Sequence, residues 1–134
     1  KNKIVREPIE RILGNEKRVI LTEPLDYKNM VSVIKEAKFL LTDSGGLQEE
    51  APALGKPVLV LRETTERTEA LHAGTAKLIG VETQNVLENI RLMLTNKEIY
   101  HSMSKAINPF GDGKSSARIL KHCCDFLNNK RPNQ

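Results

Sequence analysis

The segment Thr42-Asp43-Ser44-Gly45-Gly46-Leu47-Gln48-Glu49-Glu50 carries the residue types in this chain best suited to chemistry. It leads from a buried-strand pattern into a glycine pair and then into a helical pattern. A strand that feeds a helix in this way leaves the first backbone N–H groups of the helix unpaired at the carboxyl edge of a sheet, where they and the helix dipole attract an anion. Gly45 and Gly46 let the main chain come close to a phosphate with no Cβ in between, and Ser44 adds a hydroxyl donor. A pyrophosphate suits such a place. Glu50 stands one helical turn beyond Gly46 on roughly the same face, where its carboxylate can accept hydrogen bonds from vicinal hydroxyls such as those of a ribose. Taken alone, a Ser-Gly-Gly triplet is better read as a plain helix start with Asp43 or Ser44 as N-cap.

Two further segments bear on that choice. Arg62-Glu63-Thr64-Thr65-Glu66-Arg67-Thr68-Glu69 follows the strand pattern ending at Leu61 and forms a loop at the same sheet edge, crowded with charges and hydroxyls. Arg67 can serve there as a charge-assisted donor to a diphosphate, or equally as a surface arginine paired with Glu63 or Glu69. Asn108-Pro109-Phe110-Gly111-Asp112-Gly113-Lys114-Ser115-Ser116 is a turn cluster, with Ser115 placed to cap the last helix.

Positioning these segments requires alternating helices and strands, the order that builds a parallel sheet flanked by helices. Apolar spacing predicts a surface helix with one buried stripe over 3–13, stopped by Gly14-Asn15, and a strand over Arg18–Thr22, ended by Glu23-Pro24. Asp26 offers an N-cap for a helix carrying Met30, Val31, Val33 and Ile34, before a central buried strand over Lys38–Thr42. A helix over 47–54 ends at Gly55-Lys56, and Pro57 opens the strand 58–61. Another strand is expected over 76–79 and helices near 83–94 and 97–104. A closing helix from Ser115 to about Leu127 has an apolar face of Ala117, Ile119, Leu120, Cys123, Cys124 and Phe126. The sequence leads to one α/β domain over 1–127 with a polar tail over 128–134.

Composition narrows the function classes. The 134 residues are 39% hydrophobic and 28% charged, ordinary for a soluble globular chain of one domain. No apolar run approaches the ~20 residues of a membrane span, and no signal-peptide pattern opens the chain, so no membrane partner is expected. The net charge of +4 comes from Lys and Arg spread along the chain among Asp and Glu, with three Phe and two Tyr. Nucleic acid is therefore not expected as a partner. Adjacent Cys123 and Cys124 read as two reduced thiols, consistent with a cytoplasmic location, and no residues stand at zinc-ligand spacing.

Taken in order, Asp43 to Pro52, Gly55 to Arg62, Thr64-Thr65-Glu66-Arg67, Gly74-Thr75 and Asn108 to Gly113 closely resemble the non-hydrolysing UDP-N-acetylglucosamine 2-epimerases, over a stretch from about Arg18 to Leu127. The resemblance implies a doubly wound, Rossmann-like parallel sheet that forms the carboxyl-terminal half of a glycosyltransferase-B-like two-domain fold. It implies interconversion of UDP-GlcNAc and UDP-ManNAc by elimination and re-addition of UDP, with no cofactor and no metal, in cell-surface polysaccharide precursor synthesis and as a homodimer. Carried over by motif, Ser44, Gly45 and Gly46 hold the diphosphate, Glu50 the ribose hydroxyls and Arg67 the nucleotide end of the ligand. Leu25 and Met30 lie at the uracil, Met30 standing where relatives often have an aromatic.

The family's acid/base carboxylates and the histidine of its Thr-x-His-Arg-x-Glu-Asn block have no counterpart here. Neither His72, His101 nor His122 matches that block, so no catalytic residue is expected in this chain. By the same resemblance the strand preceding the helix at 3–13 is absent, and the chain is part of that domain. The alternatives are a glycosyltransferase-B donor-binding domain, a hydrolysing epimerase, and a non-catalytic nucleotide-sugar-binding module.

Overall fold

A computed structural model describes residues 3–129, in the order α1 (Lys3–Leu13), α2 (Tyr27–Glu36), β1 (Leu40–Thr42), α3 (Gly45–Ala53), β2 (Val58–Val60), α4 (Thr68–His72), β3 (Ala76–Leu78), α5 (Thr83–Thr95), α6 (Lys97–Ser104) and α7 (Ser115–Asn129). Where the sequence leads to one domain over 1–127, the chain divides into two compact units, with the division between Val33 and Ile34 inside α2.

In the second unit the three strands form a parallel sheet in the order β1-β2-β3, with Leu40 opposite Val58 and Val58 opposite Ala76. Parallel pairing follows from the helices between strands, since only a crossover returns the chain to the same end of the sheet. β2 is the buried strand: Val58, Leu59 and Val60 are all fully enclosed. Leu59 joins Ile79 and Met93 in a core against which Phe39, Val86, Ile90, Ile99, Tyr100 and Met103 pack, so α5 and α6 cover one face. By strand alternation Val58 and Val60 point to the other face, the side served by the crossover helices α3 and α4.

Both crossover helices end in the same way. Beyond α3, Gly55 lies at φ +67°, with Gly55 N–H donating to Pro52 O and Lys56 N–H to Ala51 O, both at 3.0 Å. Beyond α4, Gly74 lies at φ +75°, with Gly74 N–H donating to Leu71 O and Thr75 N–H to Ala70 O, both at 3.0 Å. This paired-bond helix ending satisfies the last carbonyls and turns the chain straight into the next strand. The Gly-Lys-Pro and Gly-Thr steps in the sequence are thus strand entrances.

In the first unit, α1 runs over the expected span, but its stripe of Ile4, Val5, Ile9 and Ile12 is exposed and no residue of the helix is buried. The expected strand Arg18–Thr22 is irregular backbone. A strand exists only as part of a ladder, and among the described residues this run has no strand to pair with; Ile20 is 87% exposed. Asp26 does cap α2, its Oδ1 accepting from Asn29 N–H at 2.8 Å.

Further expectations are corrected in the second unit. β1 is an edge strand rather than a central one and is buried fully only at Thr42, because no strand among the described residues lies on its other side. α7 forms over the expected span and beyond it, taking in Asn128 and Asn129 of the expected tail; residues 130–134 lie outside the described residues. Its apolar face is exposed, with Ile119, Leu120 and Phe126 all more than half accessible. Ser115 is the first helical residue rather than the cap. The turn before it is held by Asp112, which accepts from Lys114 N–H at 3.0 Å and from both terminal nitrogens of Arg118 at 2.9 and 2.6 Å. Those donors keep the Asp112 carboxyl below the ordinary aspartate range.

Candidate functional site

β1 delivers the chain to the site. Thr42 is nearly enclosed, and its hydroxyl accepts from Ser44 N–H at 3.0 Å, which turns the backbone out of the strand. Ser44 occupies the N-cap position of α3 in an extended conformation, but its hydroxyl makes no capping bond. The first helical bond runs from Gln48 N–H to Ser44 O. The N–H groups of Gly45, Gly46 and Leu47 precede it, and none of them has an acceptor among the described residues. The helix start therefore presents three aligned donors and a free hydroxyl, the arrangement that binds an anion.

The glycines there are unusual in this chain. Gly45 and Gly46 both lie at ordinary negative φ, unlike the turn glycines that require the left-handed region. A Cβ on Gly46 meets only Ser44 Oγ, at 3.9 Å; one on Gly45 meets the mobile end of Glu66 at 2.9 Å and Arg67 Nη2 at 3.7 Å. Neither backbone conformation nor backbone packing demands glycine at these two places, so its use points to something approaching from outside.

The loop after β2 brings the cations. Arg67 lies beside Gly45, its Nε paired with the Glu49 carboxylate on α3 and its Nη1 3.5 Å from Glu66. Arg62 pairs with Glu66 at 3.1 Å. The Glu66 carboxyl is held low, first by a bond from its own backbone N–H and then by the two guanidiniums. Arg67 is a third exposed, so these pairs are open to exchange with an anionic ligand. Glu50 is half-buried one turn up α3, and its carboxylate makes no hydrogen bond or ion pair among the described residues and keeps its acceptor oxygens available. Ser44, Gly45, Gly46, Glu50 and Arg67 thus all belong to the α3 start and the loop beside it.

Leu25 and Met30 belong to the first unit. There both are half-buried and line one cavity of about 640 Å³, with Val5, Ile9 and Leu21 as apolar walls. Arg6 also lines it, donating to Glu10 at 2.6 Å and to Glu23 at 2.5 Å.

Two residues missed in the sequence connect the second unit's site. Gln48 is completely buried: its Nε2 donates to Ser44 O at 3.3 Å and its Oε1 accepts from the Thr65 hydroxyl at 2.8 Å. The Thr65 oxygen in turn accepts from Arg67 N–H at 3.1 Å. A polar residue within an otherwise apolar helix face is the one available signal for Gln48; nothing in the sequence pairs it with Thr65 across seventeen positions. Among the described residues no group of His, Cys, Asp and Glu is arranged to hold a metal.

The protein class is thus a doubly wound α/β domain that presents a helix start, flanked by an arginine loop, to an anion. The family model described as UDP-N-acetylglucosamine 2-epimerase matches residues 1–123, and the chain belongs to that family. It is 52% identical over 120 residues to the UDP-N-acetylglucosamine 2-epimerase of Escherichia coli K12, covering 90% of this chain and 32% of that protein. Over its whole length it superposes on the S. aureus MnaA–UDP co-structure with a TM-score of 0.88 at 47% identity, covering 36% of that chain. A Neisseria meningitidis UDP-GlcNAc 2-epimerase bound to UDP-GlcNAc matches 92% of this chain and 33% of its own, with a TM-score of 0.87 at 46% identity. The chain therefore spans about a third of the length of its relatives. Its architecture is the doubly wound α/β of this family's glycosyltransferase-B-like fold, and membership decides against a glycosyltransferase donor domain.

Proposed function

We propose that this chain is the nucleotide-binding, carboxyl-terminal domain of a non-hydrolysing UDP-N-acetylglucosamine 2-epimerase, which interconverts UDP-GlcNAc and UDP-ManNAc. The observation that carries the reading is the α3 start, where three unpaired N–H groups and two glycines that the fold itself does not require stand beside Arg67. In this reading Ser44, Gly45 and Gly46 bind the diphosphate, Arg67 exchanges its carboxylate partners for phosphate oxygens, and Glu50 accepts from the ribose hydroxyls. The UDP and UDP-GlcNAc named with the two solved relatives support this ligand class.

The chemistry follows from the charge. Breaking the bond between the sugar and UDP places growing negative charge on the departing diphosphate, and preorganised N–H donors with a guanidinium stabilise that charge as it forms. Return of a proton to the opposite face of the sugar's C2, with UDP rejoining C1 on the side it left, uses the same donors in reverse. The acid/base groups that move the proton at the sugar carbon lie outside this chain, so the domain contributes binding and leaving-group stabilisation. The free thiols Cys123 and Cys124 suit a reducing compartment such as the cytoplasm. The same reading makes the whole protein a homodimeric enzyme of cell-surface polysaccharide synthesis.

Calorimetric titration with UDP tests the site. Saturable binding that Glu50→Ala and Arg67→Ala each weaken is the expected result. A folded protein whose affinity is unchanged by either substitution overturns the assignment. Product analysis of the native polypeptide tests the reaction: UDP-ManNAc is expected, and release of free N-acetylmannosamine with UDP sinks the non-hydrolysing reading.

A further inference from the structure

We propose that Gln48 and Thr65 are positioning residues of the anion site, a buried amide–hydroxyl relay that sets the Arg67 backbone against the start of α3. The inference rests on the reading of that site as the diphosphate subsite.

The relay runs in one direction through four groups. Arg67 N–H donates to Thr65 Oγ1 at 3.1 Å, and the Thr65 hydroxyl donates to Gln48 Oε1 at 2.8 Å. Gln48 Nε2 donates to Ser44 O at 3.3 Å, the carbonyl that also accepts from Gln48 N–H. A hydroxyl has one proton and two lone pairs, and an amide has a carbonyl at one end and donors at the other, so every bond uses a group in its proper sense. Bonds aligned in this way polarise one another. Gln48 is fully buried, so its bonds do not compete with water.

The other tethers of this loop differ in kind. Arg62–Glu66, Arg67–Glu66 and Arg67–Glu49 are side-chain ion pairs with a third or more of each side chain exposed. A diphosphate arriving at α3 competes for Arg67 against those carboxylates. The relay holds the Arg67 backbone and the Ser44 carbonyl and involves no guanidinium, so it survives that exchange. It keeps the donor loop at a fixed distance from the helix start while Arg67 changes partners. Thr65 and Gln48 touch no ligand in this scheme; they act through Arg67 and Ser44.

The test uses the native polypeptide that carries this chain, with Thr65→Val, which keeps the shape and deletes the hydroxyl, and Thr65→Ser, which restores it. Affinity is measured for UDP by calorimetry and for uridine, which lacks the phosphates, by NMR titration. Thr65→Val is expected to weaken UDP about tenfold, the scale of one misdirected charge-assisted donor, and to leave uridine within about twofold. Thr65→Ser should return UDP to within about twofold. Gln48→Met is read in the same way if Thr65→Val does not fold. Equal weakening of UDP and uridine means a general structural role and overturns the proposal, as does a Thr65→Val protein that binds UDP like the unsubstituted one. If the unsubstituted protein binds no UDP, the diphosphate reading itself falls and the relay's role falls with it.

Discussion

Replacing Gly45 with Ala separates what the fold needs from what the ligand needs. Without ligand, the new methyl carbon lies 2.9 Å from Glu66 Oε1 and 3.7 Å from Arg67 Nη2. The Glu66 side chain is half exposed and held by two guanidiniums at 3.1 and 3.5 Å, so relief comes from a small rotation. That rotation costs about 0.5–1.5 kcal/mol. Against it, Ala loses less backbone freedom than Gly in a helix, by roughly 0.5–1 kcal/mol. The two nearly cancel, and a net change under about 1 kcal/mol moves the melting temperature by no more than roughly 4 °C in a domain of this size.

Binding of UDP should respond quite differently to the same change. The methyl stands beside the N–H groups that a phosphate must reach, and one charge-assisted bond lost there is worth about 1.5–3 kcal/mol, roughly a ten- to hundredfold rise in Kd. Gly74→Ala is the complementary control. Gly74 lies at φ +75° with open space around its Cβ position, so alanine there carries only the left-handed backbone penalty of about 1–2 kcal/mol. Thermal unfolding and calorimetric titration of the two variants should give opposite patterns: stability kept and UDP lost for Gly45→Ala, stability lost and UDP kept for Gly74→Ala. A Gly45→Ala protein that binds UDP normally refutes the close-approach argument. One that melts more than about 8 °C lower shows that the glycine is structural after all.

Core and loop make separate predictions. Met93→Ala, removing a buried side chain from the cluster with Leu59 and Ile79, should cost about 2–5 kcal/mol in denaturant unfolding. Asp26→Ala, which deletes the α2 cap bond to Asn29 N–H, should cost about 1 kcal/mol in the same measurement. The Asp112 carboxyl should titrate below the ordinary 3.8 in an NMR pH series, because Arg118 and Lys114 N–H favour its charged form. With its folded pKa depressed, its contribution to stability is present above pH 3.8 and fades as pH falls through the lower folded value. Asp112→Asn should remove that acid-side dependence and speed hydrogen exchange at Lys114 N–H.

What was readable from the sequence divides along the range of the forces involved. The glycine pair, the alternation of strand and helix patterns and the helix stop at Gly55 depend on neighbours within a few residues, and α5 and α6 fall where local spacing puts them, with α3 starting two residues earlier; the short α4 was not legible. Arg18–Thr22 has the composition of a strand and is not one, because a ladder needs a second chain segment that no local pattern reports. The α7 stripe was legible as helix and illegible as burial for the same reason: periodicity says which residues share a face and not whether anything covers it.

The candidate site divides in the same way. Its ligand-facing groups sit in a recognisable motif, while the relay that aligns them joins a helix residue to a loop residue across the sheet edge. Gln48 stands one turn from Ser44 and Thr65 two residues before Arg67, so each end of the relay is local and only the 2.8 Å bond between them is not. A substitution series along Ser44 to Glu50 would therefore report on the proposed phosphate donors of the helix start and on neither Arg67 nor the loop. Only a cycle joining Gln48 to Thr65 can find the long-range bond, because the coupling energy between two contacting residues appears in neither single change.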